Sequence, residues 1–209
     1  MSSPRRALLV IDVQNDYFEG TLPIAHPPVA QSLSNILQAM DAAQAHGVPV
    51  LVVQHTAPAQ APVFADGSAG WALHPQVAAR PHARLLRKTR PSVFADTDLA
   101  AWLQAQAQAI DTLTVAGYMT HNCNASTVYE AFHRGLAVEV LGDASGALPY
   151  ANAAGQASAE EIHRVFGVVF HSNFAAVADT AQWIAAVQAG QPLPRDNVLQ
   201  SNRRARDLA

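Results

Sequence analysis

Short apolar runs alternate with stretches of helical periodicity along almost the whole chain, from Ala7–Val13 to Thr180–Ala189. A strand that is apolar on both faces has to be covered on both faces, and a sheet of such strands is parallel, with helices above and below it. The runs predict strands at Ala7–Val13, Val48–Gln54, Arg84–Arg87, Thr112–Ala116, Ala137–Leu141 and Ala175–Ala178. Helices fill the intervals. Over Val29–His46, Leu33, Ile36, Leu37 and Met40 recur at helical spacing, and Gly47 follows as a C-cap. Thr97–Gln108, His121–Arg134 and Thr180–Ala189 also read as helices. Ser158 with Glu161 three residues on is a capping box that opens a helix over Ser158–Val169. Thr56–His74, rich in Ala, Pro and Gly, reads as a long functional loop. The expected fold is α/β: a single-domain three-layer α/β/α sandwich with a six-stranded, mostly parallel, Rossmann-like sheet. It spans residues 1–189, and a polar C-terminal tail follows over 190–209.

Composition removes several classes of function. The 209 residues are 50% hydrophobic and 14% charged, and a chain of this size buries roughly 70% of its surface in one core. A net charge of -3 supplies no basic field, so no nucleic-acid partner is expected. No apolar run approaches the roughly 20 residues of a membrane span. Arg5 and Arg6 before an apolar run imitate a signal peptide, but Asp12 interrupts that run and no small-residue cleavage site follows. Cys123 is the only cysteine, which excludes an intramolecular disulfide. The expectation is a cytoplasmic protein acting on a small molecule, with no membrane partner.

In sheets of this kind the ligand sits at the carboxyl ends of the strands, near the point where the strand order reverses. The residues just past the expected strand ends are Asp12, His55, Lys88, Gly117–Cys123 and Asp143. Asp12 would be a partly desolvated carboxylate, which suits it to base work. Cys123 falls in the first turn of a helix, where backbone amides and the helix dipole lower a thiol's pKa, and Lys88 nearby would lower it further. A nucleophile, a base and N–H donors at Tyr118–Cys123 are the parts of an acyl-transfer site. There is no Gly-rich phosphate loop after the first strand, no HExxH motif and no paired cysteine, and His55, His74 and His82 are irregularly spaced. No metal and no cofactor are expected.

These residues match a known pattern. Leu8–Phe18, with Asp12 at the strand end, resembles the opening of the isochorismatase-like cysteine hydrolases. Lys88 with Ser92, Phe94, Thr97 and Leu99 is similar to that family's lysine segment, and Ala116–Cys123 with Thr127, Ala131 and Gly135 to its nucleophile segment. The resemblance implies a six-stranded parallel sheet and an Asp12–Lys88–Cys123 triad. It also implies a cis peptide at Tyr118–Met119, with the Met119 and Cys123 amides as oxyanion hole. Cys123 points to a thiol-dependent amidase that cleaves a C–N bond of a small amide or ureido compound through a thioester. The alternatives are vinyl ether hydrolysis of the isochorismate type without the thiol, and a non-catalytic ligand-binding protein on the same fold. Gln14, Phe18, His55, Tyr118, Met119 and Asn122 are the pocket candidates. Asn124 stands where the family usually has a small aliphatic residue. A homodimer or homotetramer is expected from the resemblance and from Ala-rich helical faces.

Overall fold

A computed structural model describes residues 3–208. Six strands form one sheet: β1 (Arg6–Ile11), β2 (Val50–His55), β3 (Arg84–Lys88), β4 (Thr112–Tyr118), β5 (Ala137–Gly146) and, late in the chain, β8 (Ala176–Ala178). Their order is β3-β2-β1-β4-β5-β8, and every pairing is parallel. Alternation along β1 feeds two cores. Leu8 and Val10 face one helix layer, while Ala7, Leu9 and Ile11 face the other. The first layer holds α1 (Val29–Ala45) and α6 (Thr180–Ala189), whose Ile36, Met40 and Trp183 are fully buried. The second holds α3 (Leu99–Gln104) and α4 (Ala125–His133), contributing Leu103, Val128 and Ala131.

The amino end of the sheet is tied by a buried ion pair. Arg6 donates to Glu139 at 2.8 and 2.9 Å, and Glu139 also accepts from Thr114 and from the Trp183 indole. Removing one partner leaves the other charge buried and uncompensated. Glu139→Gln is therefore expected to cost about 3–5 kcal/mol, read as a lower urea midpoint with an unchanged slope.

Three stretches differ from the sequence expectation. β5 continues past Leu141 to Gly146, because a register shift between Val115 and Gly117 lets it re-pair with the end of β4. A hairpin, β6 (Tyr150–Asn152) and β7 (Gly155–Ala157), precedes the capped helix α5 (Ala159–Val169), where sequence reading assigned no structure. The polar tail forms a helix, α7 (Val198–Asp207), capped by the Asn197 side chain and tied by Ser201 and Arg204 to Asp196. Apolar periodicity was never going to reveal α7, since it has no buried residue. Another short helix, α2 (Pro75–Ala78), closes the long loop. Among the described residues, no helix is long and apolar enough to cross a membrane.

Candidate active site

The strand order reverses at β1 and β4, which are adjacent in the sheet although β2 and β3 intervene in the chain. Their contact is close. A Cβ on Gly117, which has φ +107°, would fall 2.1 Å from the Ile11 carbonyl oxygen, so only glycine fits there. Asp12 leaves β1 with φ +52°, a left-handed conformation that costs little only for Asp, Asn and Gly. Cys123 leaves β4 in a π-helical turn over Thr120–Asn124, ahead of α4. Lys88 ends β3, and its long side chain crosses the end of β2 to reach both.

The Lys88 Nζ lies 2.7 Å from Asp12 Oδ2 and 3.2 Å from Cys123 Sγ. Side chains of Asp12 and Lys88 are 0% exposed, and Cys123 is 5% exposed. The contact is a close ion pair, and among the described residues neither Asp12 oxygen is counted in a hydrogen bond, which leaves the carboxylate open to a proton. His55, paired with Lys88 across β2 and β3, places Nδ1 3.3 Å from the ammonium.

Burial reverses one sequence expectation. The Cys123 thiol is pushed up to about 12, first by burial and then by the Asp12 charge, with Lys88 opposing. A single turn of helix and one ammonium do not offset that desolvation, so the resting group is the thiol rather than the thiolate. Burial pulls the Lys88 ammonium down, but Asp12 and then Cys123 outweigh it and the net shift is upward. Iodoacetamide should accordingly modify the free protein slowly at neutral pH. The rate should climb by about tenfold per pH unit up to pH 10, without the plateau near 8.5 that an ordinary thiol shows. Stopped-time mass measurement of the adduct checks this, and a plateau near neutrality would contradict it.

The nucleophile turn is held from three sides. Tyr118–Met119 is a cis peptide. The Asn122 and Asn124 amides donate to the Met119 carbonyl at 3.1 and 3.2 Å, leaving the Cys123 N–H between them outside that pair. Asn124, buried, donates to the Gly117 carbonyl at 2.9 Å and to Ser145 at 3.2 Å, so this departure from the family pattern ties the turn to β4 and β5. Thr127 donates to the Cys123 carbonyl at 2.7 Å and accepts the Val93 N–H at 3.1 Å, joining the lysine segment to the nucleophile segment.

Of the pocket candidates, two stand behind the site. Gln14 is fully buried and clamps backbone: it donates to the His55 and Trp71 carbonyls at 2.9 and 2.7 Å and accepts the His55 N–H at 2.8 Å. Tyr118 is fully buried, its hydroxyl sits 2.8 Å from Ser32, and burial pushes its pKa up to about 12. Asp143, named for its place near a strand end, accepts from Thr180 at the start of α6 and joins neither Asp12 nor Cys123. Phe18 is half-buried against His74 and lines a 540 Å³ cavity with Asn15, Glu19 and Gly70. Asn122 is half-buried beside the nucleophile.

Sequence reading missed Tyr17 and Tyr150, and gave His121 no role beyond its place within Gly117–Cys123. Both phenols lie near enough to Cys123 for its charge to add to the burial that raises them. The Tyr150 hydroxyl is 4.0 Å from Met119 Sδ, and its ring meets His121 edge-on at 4.9 Å. Both His121 ring nitrogens are buried without a partner among the described residues. Tyr17 had a signal, being five residues past Asp12; Tyr150 had none, because the hairpin that carries it was not expected. Among the described residues, no three His, Cys, Asp or Glu side chains gather as metal ligands. His74 accepts the Gln76 N–H, and His82 contacts the Arg80 carbonyl.

Residues 6–182 match the isochorismatase domain model. A solved isochorismatase-family structure from Burkholderia xenovorans LB400 is 61% identical, covers 98% of both chains and superimposes with a TM-score of 0.96. A secreted isochorismatase effector of Verticillium dahliae is 30% identical over 82% of this chain and 90% of its own. The ureidoacrylate amidohydrolase of Methylobacterium radiotolerans is 28% identical over 86% of this chain and 78% of its own.

Proposed function

The chain belongs to the isochorismatase family of hydrolases, and from that premise we propose that it cleaves a C–N bond of a small amide or ureido compound through a thioester on Cys123. The observation that carries this reading is the buried contact of carboxylate, ammonium and thiol at the point where the strand order reverses. Kinship with a ureidoacrylate amidohydrolase supports the bond class.

In the mechanism, Asp12 removes the thiol proton as the sulfur attacks the substrate carbonyl, because a thiol raised to about 12 needs a base in contact with it. Lys88 stays protonated, stabilises the developing thiolate and holds Asp12 in place. The Met119 and Cys123 amides receive the oxyanion. Collapse of the tetrahedral adduct breaks the C–N bond, and the proton on Asp12 leaves with the nitrogen. Asp12 then takes a proton from water, whose oxygen attacks the thioester and releases the acid and the free thiol. No step in this scheme calls on a metal.

The second reading, vinyl ether hydrolysis, uses Asp12 and Lys88 with the thiol idle. A screen of small amides, ureido compounds and isochorismate, followed by acid quench on whichever turns over, separates them. An acyl increment on Cys123 is the expected mass. Turnover with no adduct, undiminished after iodoacetamide treatment, would overturn the thioester reading.

A further inference from the structure

We infer that the substrate of this site carries no anionic group: the acyl portion enters beside Cys123 against neutral hydrogen-bonding groups, and among the described residues no cation is left to meet a carboxylate or phosphate. This narrows the amidase reading above and rests on it for the chemistry, though not for the charge.

The charges at the nucleophile already cancel. Asp12 and Lys88 pair at 2.7 Å, and the thiol is neutral at rest. The groups around them are uncharged near pH 7. His55, half-buried, is pulled down by burial and then by Lys88, with Asp12 opposing. His121 is pulled down by burial. Tyr17 and Tyr150 are raised. Behind His121, His163 contacts Thr120 at 2.9 Å and is lowered to about 4 by burial, His26 and His121.

Nor, among the described residues, is a cation held in reserve. Lys88 is the only lysine in the chain, so apart from the histidines every other basic side chain is an arginine. Arg6 is bound to Glu139 at the far end of the sheet. Arg5, Arg80, Arg84, Arg90, Arg134 and Arg204 are paired with Asp or Glu. Arg87 follows the alternation of β3 to the face opposite Lys88 and lies over the Trp71 ring at 4.8 Å. Arg195 donates to the Asn173 carbonyl. Arg164 lines a separate groove with Asp196 and Arg204, and Arg203 and Arg206 are exposed on α7.

An anion seated against Cys123 would therefore lose its water beside the Asp12 carboxylate with no counterion. A neutral ligand is served well. Among the described residues both ring nitrogens of His121 are buried and unpartnered, so an amide or hydroxyl on the substrate completes them.

The test uses the single cysteine. Iodoacetamide and iodoacetate differ in charge and hardly in shape, and Cys123 is the only thiol they can meet, so the adduct on its peptide is the one followed. The ratio of their rates, divided by the same ratio for 2-mercaptoethanol, is expected to exceed one by at least about tenfold at low salt. A normalised ratio of one or below would overturn the inference, whatever the protein hydrolyses. Tyr150→Arg, at a 44% exposed position, should move the ratio back toward iodoacetate; no movement would show that charge does not govern entry. Succinamide and succinamate extend the test to turnover. The diamide is expected to be favoured by at least about 100-fold in kcat/KM, and equal use of the acid would overturn the inference. If neither releases ammonia while the alkylation ratio holds, the amide assignment is at fault and the charge inference stands.

Discussion

Cys123→Ser is expected to lower amide turnover by at least about 10⁴-fold while leaving the fold intact. The hydroxyl replaces the thiol with little change in volume, so the buried turn between β4 and α4 keeps its shape. Its oxygen is far less acidic than sulfur, and Asp12 is too weak a base to remove its proton. No other cysteine exists to take over. Circular dichroism and a urea midpoint close to wild type would show that the protein is folded, and kcat would report the chemistry. Retention of more than a tenth of the activity would exclude the thioester route and favour the Asp12–Lys88 reading in which the thiol is idle.

Lys88→Met carries the largest combined effect. It should abolish turnover on the same scale and also destabilise the fold by about 3–5 kcal/mol. Asp12 and Lys88 side chains are both 0% exposed, and their attraction is what makes either charge tolerable there. Methionine keeps most of the volume but leaves the Asp12 carboxylate buried without a counterion. The double variant Asp12→Asn/Lys88→Met removes both charges. It should recover most of the lost stability in urea denaturation and none of the activity. If the single variant unfolds at the wild-type midpoint, the ion pair does not have the buried character described above. If the double variant is as unstable as the single one, the loss comes from packing rather than from an uncompensated charge.

Much of this protein is legible in its amino-acid sequence. The apolar runs placed all six strands of the main sheet, five of them to within two residues, while β5 runs five residues further than expected. The capping residue Ser158 marked the start of α5, and its reciprocal bonds with Glu161 are present. Asp12, Lys88 and Cys123 were readable as one group because each ends or follows a strand in a fold that gathers strand ends. That rule depends only on order along the chain and on the hand of the crossovers. The hairpin carrying Tyr150 and the tail helix were not readable, since both are held by turns and side-chain caps rather than by a periodic apolar face.

What the chain determined by itself was therefore that Asp12, Lys88 and Cys123 meet; what tertiary structure decided was their electrical state, which other side chains join them and which way the neighbours point. Proximity to a helix start and a lysine argued for an acidic thiol, yet burial acts on every charge and depends on what all six strands bring around it. It left Cys123 as a thiol. Gln14 and Tyr118 adjoin the site in sequence but turn to the Trp71 carbonyl and to Ser32, whereas Tyr17, His121 and Tyr150 converge near the sulfur from three different segments. Local pattern encodes position along a strand, while solvent exclusion and side-chain direction are properties of the assembled core.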